Sequence, residues 1–357
     1  MAPVPVSSPH GLPLARRPGG RLQVGSSPRS GSVAGPFAEA DLAALLAPGG
    51  TGAVVRRTQR VLDDLVAVGA VPAGRVRSGA QAVATAPATA AWGPDAAAWA
   101  AYDPRGPAAP ERLAGRRAAA VAVVGCGRTG AALLSALAAA GVGGLVAEDP
   151  APVVAGDRSW TGERPGGTGE PRGAAAQRRA RRVAQQLLPQ GPAGRGDPDG
   201  ADLVVLVDHH AADAVAADGL VAEGVPHLSV VLRDTDALVG PLVLPGTTPC
   251  LRCLDLHRTD ADAGWPGVRD RFTRVPAVAE ETATASALAG LAALQVLTHL
   301  DGGRPAALGA TLELLLPEGV VQQRRWSPHP QCGCLDLPVP AADRTEARTA
   351  GPEPVAG

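Results

Sequence analysis

Apolar positions and turn residues follow one another over residues 121–149 in the order of a βαβ unit. A β-branched run (Val121, Val123 and Val124) precedes a glycine-rich turn, and an alanine- and leucine-rich stretch with helical spacing follows the turn. A second short strand pattern then ends at Asp149. The segment therefore predicts a strand, a turn, a helix and a strand, in that order.

The same alternation continues toward the C-terminus. The predicted elements are helices over 174–188, 213–222 and 283–300, and strands over 202–208, 226–232, 238–244 and 311–316. The run Asp202–Asp208 (DLVVLVD) is almost wholly apolar, as is typical of a strand buried on both faces of a parallel sheet. The alternation predicts an α/β fold with a doubly wound, Rossmann-like, mostly parallel sheet.

The first third of the chain has a weaker pattern. Apolar residues recur at helical spacing in Ala38–Leu46 and Val54–Val68, which predicts a small helical or winged-helix module. The module is either a solubilising appendage or a site that binds a partner. The predicted layout is disorder over 1–20, the module over 21–72, an Ala/Pro/Gly-rich linker over 73–115, the α/β domain over 116–336 and a disordered tail over 337–357.

The turn after the first strand of the βαβ unit is a Gly-x-Gly-x-x-Gly fingerprint. Gly125 permits the tight turn, Gly127 lets a phosphate approach the backbone, and Gly130 lets helix and strand pack closely. Asp149 follows about 20 residues later, where a ribose contact is expected. The pattern predicts a nucleotide site at the helix N-terminus. The alternative is a plain βαβ turn in which the glycines serve packing only.

Composition narrows the chemistry and the location. The 357 residues include no lysine, so catalytic, Schiff-base and phosphate-binding lysines are excluded. The net charge of −1 gives no bulk attraction to nucleic acid or to an anionic membrane. No secretory signal is recognised, and the most apolar stretches (131–147 and 283–300) are broken by glycine or polar residues, so no membrane span is expected. We expect a cytoplasmic protein.

Four of the five cysteines form two close pairs. Cys250 and Cys253 make one pair and Cys332 and Cys334 the other, while Cys126 lies inside the glycine turn. Two thiol pairs from distant segments suit a closed tetrahedral Zn²⁺ site that ties the C-terminal segment to the sheet. The alternative is two pairs of free thiols. The other possible ligands, which we expect to be surface or packing residues, are His257, His299 and His329.

The glycine fingerprint, the Gly-Val-Gly turn, the acid-ended strand and the late cysteine pairs together resemble the ThiF/MoeB family over about residues 116–336. Its members are ATP-dependent adenylyltransferases related to ubiquitin-activating enzymes. They activate the C-terminal carboxylate of a small protein or peptide as an acyl adenylate. Asp149 falls where the family places the acid that binds the ATP ribose. Asp208 lies 18 residues before Pro226, the spacing of the family's magnesium-binding aspartate, and Leu228–Cys253 looks like the family's strand, hairpin and first zinc pair. The resemblance implies structural Zn²⁺, ATP, Mg²⁺ and a homodimer.

The phosphate-binding residues depart from the family pattern. Where the family has a second acid and an Asn-Leu-x-Arg-Gln block, this chain has Ala151 and the segment 157–161 (DRSWT). Arg172 stands in for the phosphate lysine, and no Arg-Tyr-x-Arg-Gln segment precedes the fingerprint. By the family mechanism, adenylylation rests on the Gly127 backbone and on the side chains of Arg128, Asp149, Arg172 and Asp208, and the candidate catalytic residues are Arg128, Arg172 and Asp208.

Three functional hypotheses follow. The first is an adenylyltransferase that acts on the C-terminus of a small carrier protein or precursor peptide. The second comes from a narrower resemblance to ThiF-like proteins of azole-peptide biosynthesis, in which an N-terminal module holds a leader peptide. It is a catalytically degenerate scaffold that presents the peptide to a partner cyclodehydratase. The third, a nicotinamide-dependent dehydrogenase, explains the fingerprint and Asp149 but not the cysteine pairs.

Overall fold

The computed structural model describes residues 14–24, 32–38, 40–41, 91–103, 106–157, 169–187, 200–272 and 275–336. It divides the chain into two units, Met1–Arg112 and Leu113–Gly357.

The first unit contains a three-stranded antiparallel sheet in the order β1-β2-β3. Its strands are β1 (Leu14–Arg17), β2 (Arg21–Val24) and β3 (Ser32–Ala34). The β1–β2 turn contains Gly19 and Gly20, whose φ angles of 75° and 69° favour glycine. Residues 1–20 are predicted to be disordered, but this turn joins Leu14–Arg17 to β2 as a hairpin. Of the two predicted helical runs, only Ala38, Ala40 and Asp41 lie among the described residues; Ala40 and Asp41 are helical, and Ala38 is not.

Two helices lie in the predicted linker. They are α1 (Gly93–Tyr102) and α2 (Ala109–Ala118). Pro94 stands in the first turn of α1, where proline is tolerated, and alanine is the strongest helix former. The Ala/Pro composition from which the linker is predicted thus also suits short helices. The predicted tail at 337–357 lies outside the described residues.

The second unit is built on a seven-stranded sheet in the order β10-β9-β8-β7-β6-β4-β5. Four strands are parallel: β4 (Ala120–Val124), β5 (Gly144–Glu148), β6 (Leu203–His209) and β7 (His227–Leu232). Three more extend the sheet antiparallel beyond β7: β8 (Asp236–Val243), β9 (Ala310–Leu315) and β10 (Val320–Arg325). The predicted strand patterns match β4 to β9, and β10 is an addition.

Helices cover both faces of this sheet. The helices are α3 (Arg128–Ala139), α4 (Arg172–Leu187), α5 (Ala214–Glu223), α6 (Leu251–Ala261), α7 (Trp265–Phe272) and α8 (Thr282–Leu300). One core joins α3, α4 and α8 to residues such as Val121 and Val205, and the other joins α5 and α6 to residues such as Ala122 and Leu206. The predicted doubly wound α/β fold is confirmed.

Helix α8 is long and apolar enough to cross a membrane by length and composition alone. Its buried residues include Leu288, Ala292 and Val296, which pack in the core shared with α3. We therefore describe α8 as a core helix of the second unit.

The strand order places a topological switch point between β4 and β6. From β4 the chain moves outward to β5 on one side, and it then returns to β6 on the other side. Loops that leave such strands in opposite directions open a crevice at their carboxyl ends, which is the usual ligand site of open α/β sheets. The fingerprint loop after β4 and the residues at the end of β6 lie at this point.

Candidate functional site

The fingerprint loop can be formed only with glycine at two of its positions. Gly125 has a φ of 88°, and a Cβ atom there would lie 2.3 Å from the Val207 carbonyl oxygen. A Cβ atom at Gly130 would lie 2.0 Å from the Gly125 carbonyl oxygen. These contacts let the loop turn tightly beside β6 and let α3 begin close to the end of β4. The N-terminus of α3 is thereby directed at the crevice.

Asp149 connects the end of β5 to the fingerprint loop. Its Oδ2 accepts a hydrogen bond from the Cys126 backbone N–H at 2.8 Å, and its Oδ1 accepts one from the Ala151 N–H at 2.9 Å. Each carboxylate oxygen has two lone pairs, so both can accept a further donor. Asp149 therefore fixes the loop and remains suited to a ribose hydroxyl.

A residue that sequence reasoning did not select, Glu280, lies at the N-terminus of α3. Its Oε2 accepts a hydrogen bond from the Thr129 backbone N–H at 2.6 Å. A Cβ atom at Gly127 would lie 2.1 Å from Glu280 Oε1, so the carboxylate uses the space that this glycine leaves open. The Glu280 side chain is only 9% exposed. A carboxylate thus occupies the position that the fingerprint predicts for a phosphate.

His209, at the end of β6, faces this carboxylate. Its Nε2 lies 3.7 Å from Glu280 Oε1. Burial lowers the pKa of His209, against the opposing effect of the nearby Glu280 carboxylate. Its Nδ1 is buried and has no hydrogen-bond partner among the described residues. The pair therefore places a carboxylate next to a half-buried imidazole at the switch point.

Arg128, the first residue of α3, binds three neutral oxygens. Its Nε donates to the Gly156 carbonyl oxygen at 2.8 Å, and its Nη1 donates to the Glu280 carbonyl oxygen at 3.1 Å and to Thr282 Oγ1 at 3.0 Å. The guanidinium thus joins the loop after β5 to the start of α8. These three acceptors are uncharged, and no ion pair of Arg128 is found among the described residues.

Asp208 and His209, at the end of β6, both line a cleft of about 460 Å³. The cleft is lined by the start of α5 and the end of α7, and its lining includes Arg269, Asp270 and Phe272. Burial raises the pKa of Asp208 to about 6, although the Asp213 backbone N–H donates to its Oδ2 at 3.1 Å. Neither the glycine fingerprint nor Arg128 or Arg172 lines this cleft among the described residues.

Cys126 is buried beneath the fingerprint loop. Burial raises the pKa of its thiol to about 12, and its Sγ contacts the Val123 carbonyl oxygen at 3.7 Å. A thiol in this state is a poor nucleophile, because the thiolate is the reactive form. The position therefore does not suit a thioester-forming cysteine.

The two cysteine pairs meet in the core on the α6 face of the sheet. Cys250 Sγ lies 3.5 Å from Cys332 Sγ, and Cys253 Sγ lies 3.4 Å from Cys334 Sγ. All four sulfur atoms lie within 4.8 Å of one another, and none is in a disulfide. Four thiolates at a Zn–S distance of about 2.3 Å lie about 3.8 Å apart in a tetrahedron. The cluster therefore fits a four-thiolate metal site.

Two of the possible histidine ligands have other partners. His329 Nε2 lies 2.9 Å from Asp260 Oδ2, and His257 Nε2 lies 2.9 Å from the Ser327 carbonyl oxygen. Their ring centroids are 4.8 Å apart. His329 is buried, which agrees with the expectation of a surface or packing residue.

The chain shares its fold with E. coli MccB. A crystal structure of MccB with succinimide has a TM-score of 0.66 at 15% identity, over 92% of this chain and 98% of MccB. The structure of the microcin C7 biosynthetic enzyme MccB in complex with N-formylated MccA has a TM-score of 0.66 at 15% identity and covers 92% of this chain and 99% of MccB. MccB with ATP has a TM-score of 0.63 at 15% identity, with the same two coverages. PaaA has a TM-score of 0.60 at 14% identity, and the match covers 88% of this chain and 98% of PaaA. No family model and no curated protein sequence matches the chain. MccB is ThiF/MoeB-like, so the resemblance drawn from the sequence is confirmed at the level of the fold.

Proposed function

We propose that this chain is a ThiF-like, ATP-binding protein that acts on the C-terminal carboxylate of a small carrier protein or ribosomal peptide. The observation that carries the proposal is the N-terminus of α3, which is formed by the glycine fingerprint at the topological switch point and holds a carboxylate. The shared fold adds support, since crystal structures of MccB contain ATP in one case and MccA in another.

In the proposed reaction, a carboxylate oxygen of the acceptor attacks the α-phosphorus of ATP. The bond from that phosphorus to the oxygen that bridges the α- and β-phosphates breaks. The products are an acyl adenylate and pyrophosphate, so atoms and charge balance without another reactant. In this proposal Mg²⁺ supplies charge neutralisation for the leaving pyrophosphate.

Each residue of the site has one task in this proposal. The backbone N–H groups at the N-terminus of α3 and the Arg128 guanidinium hold phosphate oxygens. Asp149 accepts hydrogen bonds from ribose hydroxyls through its remaining lone pairs. Asp208, at the wall of an open cleft, provides the carboxylate oxygen that Mg²⁺ prefers. The four cysteines hold a structural zinc ion that ties the C-terminal segment to α6.

The remaining parts of the proposal concern partners and location. The N-terminal module at 21–72 binds part of the peptide, and the protein acts as a homodimer in the cytoplasm. Nucleic acid and membranes are not partners in this proposal, in keeping with the net charge of −1.

A second candidate is a scaffold that binds a leader peptide for a partner cyclodehydratase without turning over ATP. One observation favours it. Arg172, the replacement for the family's phosphate lysine, donates two hydrogen bonds to Asp157. A guanidinium that is paired with a carboxylate stabilises a polyphosphate poorly, and poor stabilisation of the leaving group slows the reaction.

The test is ATP–pyrophosphate exchange with candidate carrier proteins and peptides. We expect exchange that requires Mg²⁺ and a free acceptor carboxylate and that is lost in Asp208→Asn. Asp234→Asn, which removes an exposed carboxylate, is the matched control and keeps the activity. If no acceptor supports exchange while a peptide still binds without ATP, the scaffold is the correct function. Binding of NAD in preference to ATP contradicts both proposals and supports a dehydrogenase.

A further inference from the structure

We propose that Glu280 is an internal ligand of the α3 anion site and that a nucleotide phosphate binds there by displacing it. This inference rests on the proposed nucleotide site and describes how that site is regulated. The segment before α8 thereby acts as a built-in competitor of ATP.

The geometry of the carboxylate matches that of a bound anion. Glu280 Oε2 accepts the Thr129 backbone N–H at 2.6 Å, and Oε1 lies against Gly127 at a distance that leaves no room for a Cβ atom. Thr129 is fully buried, and its hydroxyl has no hydrogen-bond partner among the described residues. A phosphate has more acceptor oxygens than a carboxylate, and the Thr129 hydroxyl is a further donor on the residue whose N–H holds Glu280.

The charge balance also identifies Glu280 as a ligand of α3. The first turn of α3 contains no acidic residue of its own, although a helix N-terminus favours negative charge. A carboxylate with a side chain that is 9% exposed is unfavourable unless charge-assisted hydrogen bonds compensate for its lost hydration. The Thr129 N–H is the hydrogen-bond donor that compensates here, and the Arg172 guanidinium, whose pKa the Glu280 carboxylate helps to raise, adds a favourable charge.

A phosphate and the Glu280 carboxylate cannot share this position. Both are anions, and both require the Thr129 N–H and the space beside Gly127. The displacement has a structural route, because the same segment is held elsewhere by separate contacts. Arg128 Nη1 binds the Glu280 carbonyl oxygen, and His210 Nε2 lies 2.9 Å from the Pro276 carbonyl oxygen. The Glu280 side chain can therefore leave while the backbone stays attached.

The segment also connects the two halves of the proposed site. Val275 and Ala277 line the cleft that contains Asp208, and Glu280 lies at the fingerprint loop only a few residues later. The segment that carries Glu280 therefore borders both the fingerprint loop and the cleft that we assign to the acceptor and Mg²⁺.

The experiment is calorimetry of Mg-ATP, adenosine and inorganic pyrophosphate with the full chain, Glu280→Gln, Glu280→Ala and Glu281→Gln. Glu281 is the matched control, because it caps α8 through the Thr284 N–H at 2.8 Å and makes no described contact with α3. We expect both Glu280 variants to bind ATP and pyrophosphate about tenfold more tightly or better, equivalent to about 1.4 kcal/mol. Adenosine affinity stays unchanged, since it has no phosphate.

The outcomes separate this inference from the proposed function. Equal or weaker ATP affinity in both Glu280 variants overturns the inference and leaves the proposed function standing. If neither the wild-type chain nor any variant binds ATP, the proposed function fails, and the inference is then decided by the affinities for pyrophosphate. Tighter pyrophosphate binding in the Glu280 variants then supports it, and equal or absent binding overturns it. Thermal melting of each variant checks that the comparison is made on folded protein.

Discussion

The Arg172 guanidinium forms a two-pronged ion pair with Asp157, with 2.7 Å between Nε and Oδ2 and 2.9 Å between Nη2 and Oδ1. Arg172 begins α4, and Asp157 ends the short 3-10 turn after β5. The pair joins the 3-10 turn to the start of α4 and neutralises a cation that the family resemblance assigns to phosphate. Asp157 and Glu280 thus place negative charge at two positions that the proposal assigns to the negatively charged phosphates of the nucleotide.

Removal of the Asp157 charge should therefore strengthen nucleotide binding. We expect Asp157→Asn to raise Mg-ATP affinity by up to about fivefold, because a partly exposed ion pair is worth about 1 kcal/mol or less. Arg172→Gln should lower the affinity. Calorimetry measures both, and Glu313→Gln is the control, since Glu313 is paired with the exposed Arg324 on β10. Weaker ATP binding in Asp157→Asn means that Asp157 positions the site instead of masking it.

The cysteine cluster predicts one zinc ion per chain. We expect Cys253→Ser to lose the metal and to destabilise the second unit severely, since structural zinc contributes about 10–16 kcal/mol of apparent binding free energy. Cys126→Ala is the matched control, because Cys126 is also buried but lies at the fingerprint loop. Elemental analysis and thermal melting give the two readouts. A stable, metal-free wild-type chain contradicts the zinc assignment.

The strands that carry the site could be predicted from sequence because they are buried on both faces. Residues Leu203–Val207 of β6 are all buried, and a short, continuous apolar run of this kind is typical of a strand that is covered on both faces. Strand β10 was missed because all its residues are exposed, so VVQQRR has no apolar alternation that predicts a strand. Helix α6 is not predicted, because its sequence LRCLDLHRTDA has only three leucines among charged and polar residues and so lacks a clear apolar face.

The role of Glu280 could not be predicted from local pattern. Two acids, Glu280 and Glu281, precede the apolar run of α8, and acids at such a position are ordinarily helix caps. Glu281 does cap α8, whereas Glu280 turns away and reaches Thr129, 151 positions earlier in the chain. The difference is set by tertiary contacts with α3. The motif predicts an anion site at the N-terminus of α3, and the local pattern does not predict that a carboxylate of the chain itself lies there.

Asp149 provides a test of ATP against NAD. We expect Asp149→Ala to weaken ATP binding, because ribose hydroxyls lose their acceptor in a partly buried site. The same change also frees the Cys126 and Ala151 N–H groups, so Asp149→Asn, which keeps one acceptor oxygen, separates loss of the ribose contact from loss of the loop. Calorimetry with ATP and with NAD is the measurement. Preferential NAD binding by the wild-type chain contradicts the adenylyltransferase proposal.

Asp208 should make stability and activity respond to pH in opposite directions. Its pKa is raised from 3.8 to about 6 by burial, so the folded state binds more protons than the unfolded state between these values. The free energy of unfolding therefore falls as the pH rises from about 4 to about 6, and the penalty stays constant above pH 6, at up to about 3 kcal/mol. Exchange activity rises over the same transition, since Mg²⁺ binds the ionised carboxylate.

We expect Asp208→Asn to be more stable than wild type at pH 7.5, equally stable at pH 4 and inactive at both. Chemical denaturation at several pH values measures the difference, with the exposed Asp234→Asn as the control that shows no such trend. A stability difference that does not change with pH contradicts the assignment of the raised pKa to Asp208.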